Sequence, residues 1–178
     1  MSFLTTTIRQ FRHYKELAEG AMIQLDDAML LHEAAGGNNS VVVIVKHLHG
    51  NMLSRWTNFL TEDGEKAWRK RDEEFEHASL SRVQLMQLWE EGWQCVFGAL
   101  GDMTDADLER TVHIRGEAST AMDAIIRQLM HYSYHVGQIV LLCKQQVGEN
   151  WRSLSIPKGG SAAFNAAMSG QAEATRKS

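Results

Sequence analysis

Two histidines, His131 and His135 in the segment HYSYHVGQIV, have a spacing that is typical of metal-binding sites. Residues four apart lie on one face of a helix, where two imidazoles are about 6 Å apart and can bind one metal ion. They are the only pair at this spacing among the eight histidines. Chance alone gives such a pair in roughly one chain in three of this composition. The spacing therefore leaves open a metal site and an ordinary polar helix face.

Other catalytic patterns built on the same residue types are disfavoured. Zincin-type metalloproteases need glutamate directly after the first histidine, and Tyr132 stands there instead. Ferritin-like di-iron bundles need two Glu-x-x-His motifs, and only Glu74 with His77 fits, in a segment without helical periodicity. Cys95 and Cys143 lie at or beside apolar helix positions. We interpret both cysteines as small buried hydrophobic residues rather than as nucleophiles.

Helices must position these residues, because proline is nearly absent and apolar residues recur at helical spacing. Pro157 is the only proline, so no proline interrupts a helix before it. Apolar residues repeat every three or four positions in four segments, which predicts four amphipathic helices. These span about residues 3–33, 41–60, 81–99 and 121–147. The second helix opens with the β-branched run VVVIV, but the apolar spacing that continues beyond this run favours a helix over a strand.

Turn residues and charged stretches separate the predicted helices. The segment GGNNS at 36–40 ends the first helix, and Ser40 caps the second. Thr120 begins a capping box before the fourth helix. Residues 61–79 predict a long connection with one helical turn. Residues 101–119 predict an irregular stretch that contains the short extended piece TVHIR.

Four amphipathic helices predict an all-α fold, a four-helix bundle whose order of up and down helices the spacing leaves open. We expect one domain over residues 1–168, because typical domains have about 150 residues. The segment SLSIPKGGSAAFNAAM after the fourth helix predicts a docked C-terminal extension with a short helix. Residues 169–178 predict a polar C-terminal tail.

Charge and hydropathy exclude several classes of function. The net charge of −4 lacks the basic excess of nucleic-acid-binding proteins. No purely apolar run exceeds five residues, whereas a membrane span needs about 18. The polar start MSFLTTTIRQFRHYK lacks the apolar stretch of a secretory signal, and two cysteines imply no disulfide framework. We therefore expect a cytoplasmic protein that acts on a small-molecule substrate, not on nucleic acid or at a membrane.

Several sequence blocks carry a resemblance to a known family. They are KHLHGNMLSRWTNFLTEDGEKAWRKRDEEFE, LWEEGW, IRGEAST and SIPKGGSAAFN, in order over about residues 35–165. In these blocks the chain resembles the DinB-like (YfiT-like) superfamily of metalloenzymes, and most closely a DinB-like subgroup of unassigned function. The resemblance implies an up-down-down-up bundle with a metal site made by one histidine of helix 2 and two of helix 4. The matching residues here are His47, His131 and His135.

The choice of His47 over its neighbour His49 follows from the resemblance. Two residues apart on a helix differ by about 200° in direction, so only one of the two side chains can face the bundle interior. Burial patterns alone leave this choice open. The family position favours His47 as the ligand and leaves His49 outside the site or behind the ligands.

The resemblance also implies a divalent metal ion, with nickel or zinc favoured, and a homodimer. Three neutral imidazoles leave an open position on such an ion, and the ion lowers the pKa of a thiol or water bound there. Members of the superfamily include transferases and isomerases that use bacillithiol, mycothiol or glutathione. The first hypothesis is therefore a metal-dependent transferase that activates a low-molecular-weight thiol for attack on a small electrophile. The alternatives are a non-enzymatic metal-binding or interaction protein and a metal-dependent hydrolase that uses hydroxide.

Further residues receive roles that depend on the fold. Asn51 and Gln138 lie within about one turn of the histidines and are candidates to orient a bound group. Arg55 and the basic residues at 69–71 are interpreted first as a solvated charge cluster. They are interpreted second as a site for an anionic substrate, if the connection folds over the histidines. The apolar residues left over after each helix contributes one stripe to the core predict a helix-face homodimer. They are Phe59, Leu60, Leu88 and Trp93.

Overall fold

The protein is mainly helical, which confirms the predicted all-α fold. The structure is a computed structural model, and it describes residues 2–32, 39–76, 78 and 80–176. His77 and most of the predicted GGNNS break lie outside these residues. The helices and strands in chain order are α1 (Phe3–Met22), α2 (Asp27–Leu30), α3 (Val41–Trp56), α4 (Arg82–Gly101), β1 (Thr111–Ile114), β2 (Glu117–Thr120), α5 (Ala121–Val147) and α6 (Ser161–Arg176). Short 3-10 helices lie at Arg71–Phe75, Asp105–Glu109 and Gly148–Asn150.

Helices α1, α3, α4 and α5 form a four-helix bundle around an aromatic centre. Each helix contributes one ring to this centre, namely Phe11, Trp56, Trp93 and Tyr132. The Phe11 ring lies 5.9, 6.0 and 5.8 Å from the other three in that order, at tilted or edge-on angles that aromatic pairs favour. Trp56 Nε1 donates to the Tyr132 hydroxyl at 2.9 Å, so these two buried polar groups have partners.

The long connection between α3 and α4 is a crossover. On these two helices His49 pairs with Glu91 and Thr57 contacts Cys95, so the residue numbers increase together and the helices are parallel. Two adjacent parallel helices require a connection that returns along the bundle. Residues 57–81 make that return, as a long connection containing the predicted turn at Arg71–Phe75.

Contacts at the ends of α1 complete the topology. Arg82 at the start of α4 donates to the Met22 carbonyl at the end of α1, so these packed helices are antiparallel. Gln24, just after α1, donates to the Arg152 carbonyl, just after α5, so α1 and α5 are parallel. With α3 parallel to α4, the order is up-down-down-up, as the resemblance implies.

Hydroxyl caps begin the four bundle helices. Each cap accepts a hydrogen bond from the backbone N–H three residues later, which satisfies one of the donors that a helix start leaves open. The caps are Ser2, Ser40, Ser81 and Thr120. The caps at Ser40 and Thr120 are thus confirmed, although the Asp123 side chain does not return the hydrogen bond that would complete the predicted capping box, and α5 has the predicted bounds.

The first helix is shorter than the predicted span of residues 3–33. It ends at Met22, and the short helix α2 follows a turn. Asp26 accepts from the Met29 N–H at 2.8 Å and so starts a new helix instead of continuing the old one. Leu25 and Leu30 are nevertheless buried in the core. The apolar spacing therefore continues across the turn, which is why the periodic pattern did not predict it.

The predicted extended piece TVHIR forms strand β1 and pairs with β2, which the sequence pattern did not predict. The strands are antiparallel, with Ile114 opposite Glu117. The two residues between them, Arg115 and Gly116, both have positive φ, at 57° and 76°. Positive φ at both central positions matches the right-handed twist of a tight hairpin.

The C-terminal extension contacts the bundle less than predicted. Trp151 and Leu154 are half-buried against the core, but residues 161–170 of α6 are exposed. The expectation of a docked segment is therefore wrong for this part of the chain. Helix α6 runs to Arg176, through most of the region predicted as a tail. None of the described helices is long and apolar enough to cross a membrane.

Candidate metal centre

The structure brings together the three histidines named from the sequence. His131 and His135 lie one turn apart on α5, and His47 faces them from α3. One ring nitrogen from each lies within 4.8 Å of the others, and the His47 and His131 Nε2 atoms are 3.3 Å apart. Two nitrogens bound to a tetrahedral zinc ion at its usual bond length are about 3.3 Å apart. The cluster therefore has the spacing of a metal centre.

Two hydrogen bonds orient the histidine rings. His47 Nδ1 donates to Glu74 Oε2 at 2.9 Å, which directs Nε2 of the same ring toward the cluster. His135 Nδ1 donates to the side-chain Oε1 of Gln138 at 2.8 Å. Metal-binding histidines typically donate their second ring nitrogen in this way. Gln138, predicted as a residue that orients a bound group, instead contacts the ring of His135.

One ring nitrogen of the cluster is buried without a protein partner. Among the described residues, His135 Nε2 has no hydrogen-bonding neighbour. Because Nδ1 of this ring donates to Gln138, Nε2 carries the lone pair and is an acceptor. Buried acceptors in native proteins are normally satisfied, so this nitrogen is available to bind a ligand. The donor set fits a divalent metal ion.

Burial keeps the two α5 histidines neutral. It lowers the pKa of His131 to about 3, with further lowering by nearby His135 and His47. Burial likewise lowers the pKa of His135 to about 4, against the opposing effect of Gln138. Metal ligands must be deprotonated, so both imidazoles are ready to bind an ion at neutral pH.

Glu74 is fixed behind His47. Arg69 donates to both carboxylate oxygens through Nε and Nη2, at 2.8 and 2.9 Å. Burial raises the pKa of Glu74, but the hydrogen bonds from His47 and Arg69 outweigh it and hold the pKa below its usual value. Gly50 leaves the space for this carboxylate, because a Cβ there would overlap Oε1 and lie 2.8 Å from Cδ.

An open cleft of about 650 Å³ lies beside the histidines. The crossover connection forms one wall, and the Phe75 ring lies 5.0 Å from the His47 ring. Arginines from four parts of the chain line the cleft together with polar residues of α3 and α5. The lining residues are His47, Asn51, Arg55, Arg69, Arg71, Arg115, Arg127, Gln128, Met130, His131, Ser133 and Tyr134.

Comparison with protein families assigns the chain to one of them. A family model described as a protein of unknown function, DUF1572, matches residues 1–160. The chain belongs to the DUF1572 family. No curated protein and no solved structure matches it. The DUF1572 match includes the whole bundle, the three histidines and the arginines of the cleft, and it ends where α6 begins.

Other residues named from the sequence lie outside the cluster. His49 pairs with Glu91 of α4 at 3.0 Å, away from the other histidines. Asn51 lines the cleft and accepts from the Tyr132 hydroxyl at 3.1 Å. Cys143 is fully buried, and burial raises its pKa to about 12. Cys95 is half-buried, and burial again raises the pKa of its thiol. Neither cysteine has the lowered pKa of a nucleophile.

The arginines lie where the second interpretation of this basic cluster requires them, in the cleft beside the histidines. Arg55, Arg69 and Arg71 line the cleft because the connection folds over the histidines, whereas Lys70 is exposed and pairs with Glu73. The three tryptophans Trp56, Trp89 and Trp93 are core residues.

Sequence reasoning missed four residues of the site. From the sequence, Glu74 fits an incomplete di-iron motif and a solvated charge cluster but not a partner of His47, and Arg115 reaches the cleft through the hairpin that was not predicted. Arg127 and Gln128 lie about one helical turn before His131, at 127–131 on α5. That spacing is the one signal in the sequence that could have found them.

Proposed function

We propose that this protein is a divalent-metal-binding protein in which His47, His131 and His135 are the ligands. The observation that carries the proposal is the convergence of three ring nitrogens within 4.8 Å, one of them buried without a partner among the described residues. Nickel or zinc is the expected metal, because imidazole ligands suit both ions.

The DUF1572 family is placed by this proposal within the DinB-like superfamily. Its support is the up-down-down-up order of the helices and the positions of the histidines, one on the second bundle helix and two on the fourth. Neither feature is common to four-helix bundles in general, which are built with several connection orders.

The activity that we propose is metal-dependent transfer, in which a low-molecular-weight thiol attacks a small electrophile. His47, His131 and His135 would hold the divalent ion, which would supply the positive charge that lowers the pKa of a thiol bound to it. Glu74 and Gln138 hold the rings of His47 and His135 in place for this role. The cleft at the open side of the cluster has the volume of a small-molecule site.

Metal content tests the site. Protein purified without a histidine tag should contain about one divalent ion per chain. His131→Ala should lose most of it, because two imidazoles bind an ion far more weakly than three. His49→Ala is the matched control and should keep it, since His49 pairs with Glu91 outside the cluster. Full occupancy in a variant with all three ligands replaced by alanine would refute the site.

Thiol binding and turnover test the activity. With cobalt as the probe ion, bacillithiol or glutathione should produce sulfur-to-cobalt charge-transfer absorption. The loaded protein should also consume a thiol-reactive electrophile faster than metal-free protein, and His135→Ala should abolish the difference. Thiol binding without turnover would favour a non-enzymatic metal-binding protein. Metal-dependent ester or amide cleavage without thiol binding would favour a hydrolase.

A further inference from the structure

The cleft beside the histidines is strongly positive in a protein that is acidic as a whole. Five arginines line it, Arg55, Arg69, Arg71, Arg115 and Arg127, and none of the described lining residues is acidic. The chain carries a net charge of −4. A concave site lined by one sign of charge concentrates ligands of the opposite sign.

Two carboxylates behind the walls neutralise part of this charge. Glu65 binds Arg55 and the Nε of Arg115, at 3.2 and 2.9 Å. Glu74 binds Arg69. Five guanidinium groups are thus offset by two buried or half-buried carboxylates, so the cleft keeps a positive excess before any metal ion is bound.

Two of the arginines have donors available for a ligand. Arg127 is exposed and has no ion pair or side-chain hydrogen bond within the described parts of the chain. Among the described residues, the ion pair of Arg71 is with Asp72 at 4.0 Å, a fully exposed carboxylate. The Arg71 guanidinium instead lies 5.0 Å from the centre of the Phe75 ring, which holds it at the cleft. Guanidinium groups with open donors bind carboxylate and phosphate oxygens in pairs.

A second, independent observation points to a ligand in the same cleft. Gln128 is 3% exposed, and its Oε1 has no donor among the described residues. Gln128 lines the cleft together with Arg55, about one turn before His131. A buried amide oxygen without a partner is rare in native proteins and indicates that a ligand supplies the hydrogen bond.

We propose that the cleft binds a small organic anion whose carboxylate or phosphate group lies against the arginines and whose hydroxyl or amino group donates to Gln128. This inference rests on the proposed function in one respect, namely that the bound anion is the substrate of the metal centre. Binding itself uses Arg71, Arg127 and Gln128, none of which is a proposed metal ligand. The anion-binding test can therefore be made on metal-free protein.

Calorimetric titration of metal-free protein at low salt tests the charge requirement. Glutarate should bind, whereas its neutral diamide, glutaramide, should not, because it offers no charge to the guanidinium groups. Inorganic phosphate in a parallel titration distinguishes a phosphate preference from a carboxylate preference. Equal binding of glutarate and glutaramide, or no binding of either glutarate or phosphate, would overturn the proposal.

Arginine variants locate the bound anion. Arg71→Gln with Arg127→Gln should weaken glutarate or phosphate binding at least about tenfold, since charge-assisted hydrogen bonds are lost. Both residues are exposed, so the double variant should fold. Arg9→Gln is the control, because Arg9 is an exposed arginine of α1 outside the cleft. Equal weakening by the control variant and by the double variant would overturn the site.

A hydroxyl preference tests the role of Gln128. The protein should bind 2-hydroxyglutarate more tightly than glutarate by about threefold to tenfold, the usual effect of one hydrogen bond. The preference should vanish in Gln128→Met, which keeps the size of the side chain but removes the acceptor. A preference that survives in Gln128→Met would refute this contact. Anion binding that persists in a protein found to bind no metal would refute the proposed function and leave this inference intact.

Discussion

Glu74 links the histidine cluster to the connection that crosses over it. Its carboxylate accepts hydrogen bonds from His47 and from Arg69, so the imidazole can present only one nitrogen to the cluster. Gly50, one turn after His47, provides the space for that carboxylate. Glycine in a helix interior is less stable than alanine by about 1 kcal/mol. The position of Glu74 gives a physical reason for a glycine here.

Removing this support should weaken metal binding without unfolding the protein. Gly50→Ala displaces the Glu74 carboxylate, and Glu74→Gln removes its charge. We expect each variant to bind zinc about 10- to 100-fold more weakly, the usual effect of losing a partner behind a metal ligand. Competition against a chelating dye measures the affinity, and circular dichroism at the same concentration checks the fold.

Gly98→Ala is the matched control for the glycine substitution. Gly98 lies in α4, and a Cβ there has no neighbour within 4 Å, so the change should leave zinc affinity unaltered. Unaltered affinity in Gly50→Ala and Glu74→Gln as well would contradict the role of Glu74 in orienting His47.

For single residues, the sequence predicts the proposed metal ligands better than it predicts the residues that hold these ligands in place. The spacing of His131 and His135 follows from helix geometry, so it could be read directly from the sequence. His47 needed the family resemblance, because periodicity did not separate it from His49. Glu74 lies 27 residues from its partner in a charged connection. The path of such a connection depends on tertiary packing, which no local pattern encodes.

Among the secondary-structure elements, the crossover connection and the β1–β2 hairpin are held together by hydrogen bonds. The Asp63 carboxylate accepts from the backbone N–H groups of Glu65, Arg115 and Gly116, at 2.7, 2.8 and 2.7 Å. Two of these donors lie in the tight turn between β1 and β2. In addition, the Gly64 N–H donates to the His113 carbonyl. Asp63 therefore links the crossover connection to the turn between β1 and β2, and this turn places Arg115 in the wall of the cleft.

Loss of the Asp63 carboxylate should destabilise the protein in a pH-dependent way. The backbone donors of Glu65 and Gly116 hold the pKa of Asp63 below its usual value. A lowered pKa stabilises the folded state above the unfolded pKa of about 3.9, and this contribution disappears as the pH falls through the folded pKa. Asp63→Asn should therefore lower the free energy of unfolding by about 1 to 2 kcal/mol at pH 7, and by less at about pH 3.

Urea unfolding at both pH values measures this difference. Asp105→Asn is the control, since Asp105 is an exposed aspartate outside the hairpin and should change stability little at either pH. An equal loss for Asp63→Asn at both pH values would show that the carboxylate charge contributes nothing.

The helices were predictable where one side faces the core and a cap marks the start. Helix α5 has the predicted bounds because its apolar spacing, its threonine cap and Gly148 all agree. Helix α1 was predicted too long because the core continues past the turn at 23–26 and buries Leu25 as a helix would. Strand β2, with the sequence EAST, has no apolar alternation. Its pairing depends on the turn at Arg115 and Gly116 and on Asp63, which is 52 residues away from Arg115.

At the scale of the whole molecule, the exposed apolar residues are not the ones that the sequence predicted for the dimer contact. Phe59 and Trp93 are buried in the core, so they cannot form the predicted dimer surface. Phe59 lies beyond the end of α3 and packs against Trp56, and Trp93 of α4 packs in the aromatic centre of the bundle. Large exposed apolar side chains instead follow one side of α5, at Ile126, Met130, Tyr134 and Leu141, and this side borders the cleft because Met130 and Tyr134 also line it.

The homodimer that the resemblance implies stays a prediction, and we expect it to form on this side of α5, next to the cleft. Residues spaced by four, four and seven lie along one face of a helix, so the α5 residues can form a continuous contact with a second copy.

Light scattering at tens of micromolar should give twice the chain mass of 20.1 kDa. Leu141→Glu should shift the mass toward that of one chain, because a charge would be buried in the contact. Val83→Glu is the control, since Val83 is similarly exposed on α4 and should leave the dimer intact. A mass of one chain for the unaltered protein would contradict the dimer, and equal dissociation by both variants would contradict the α5 contact.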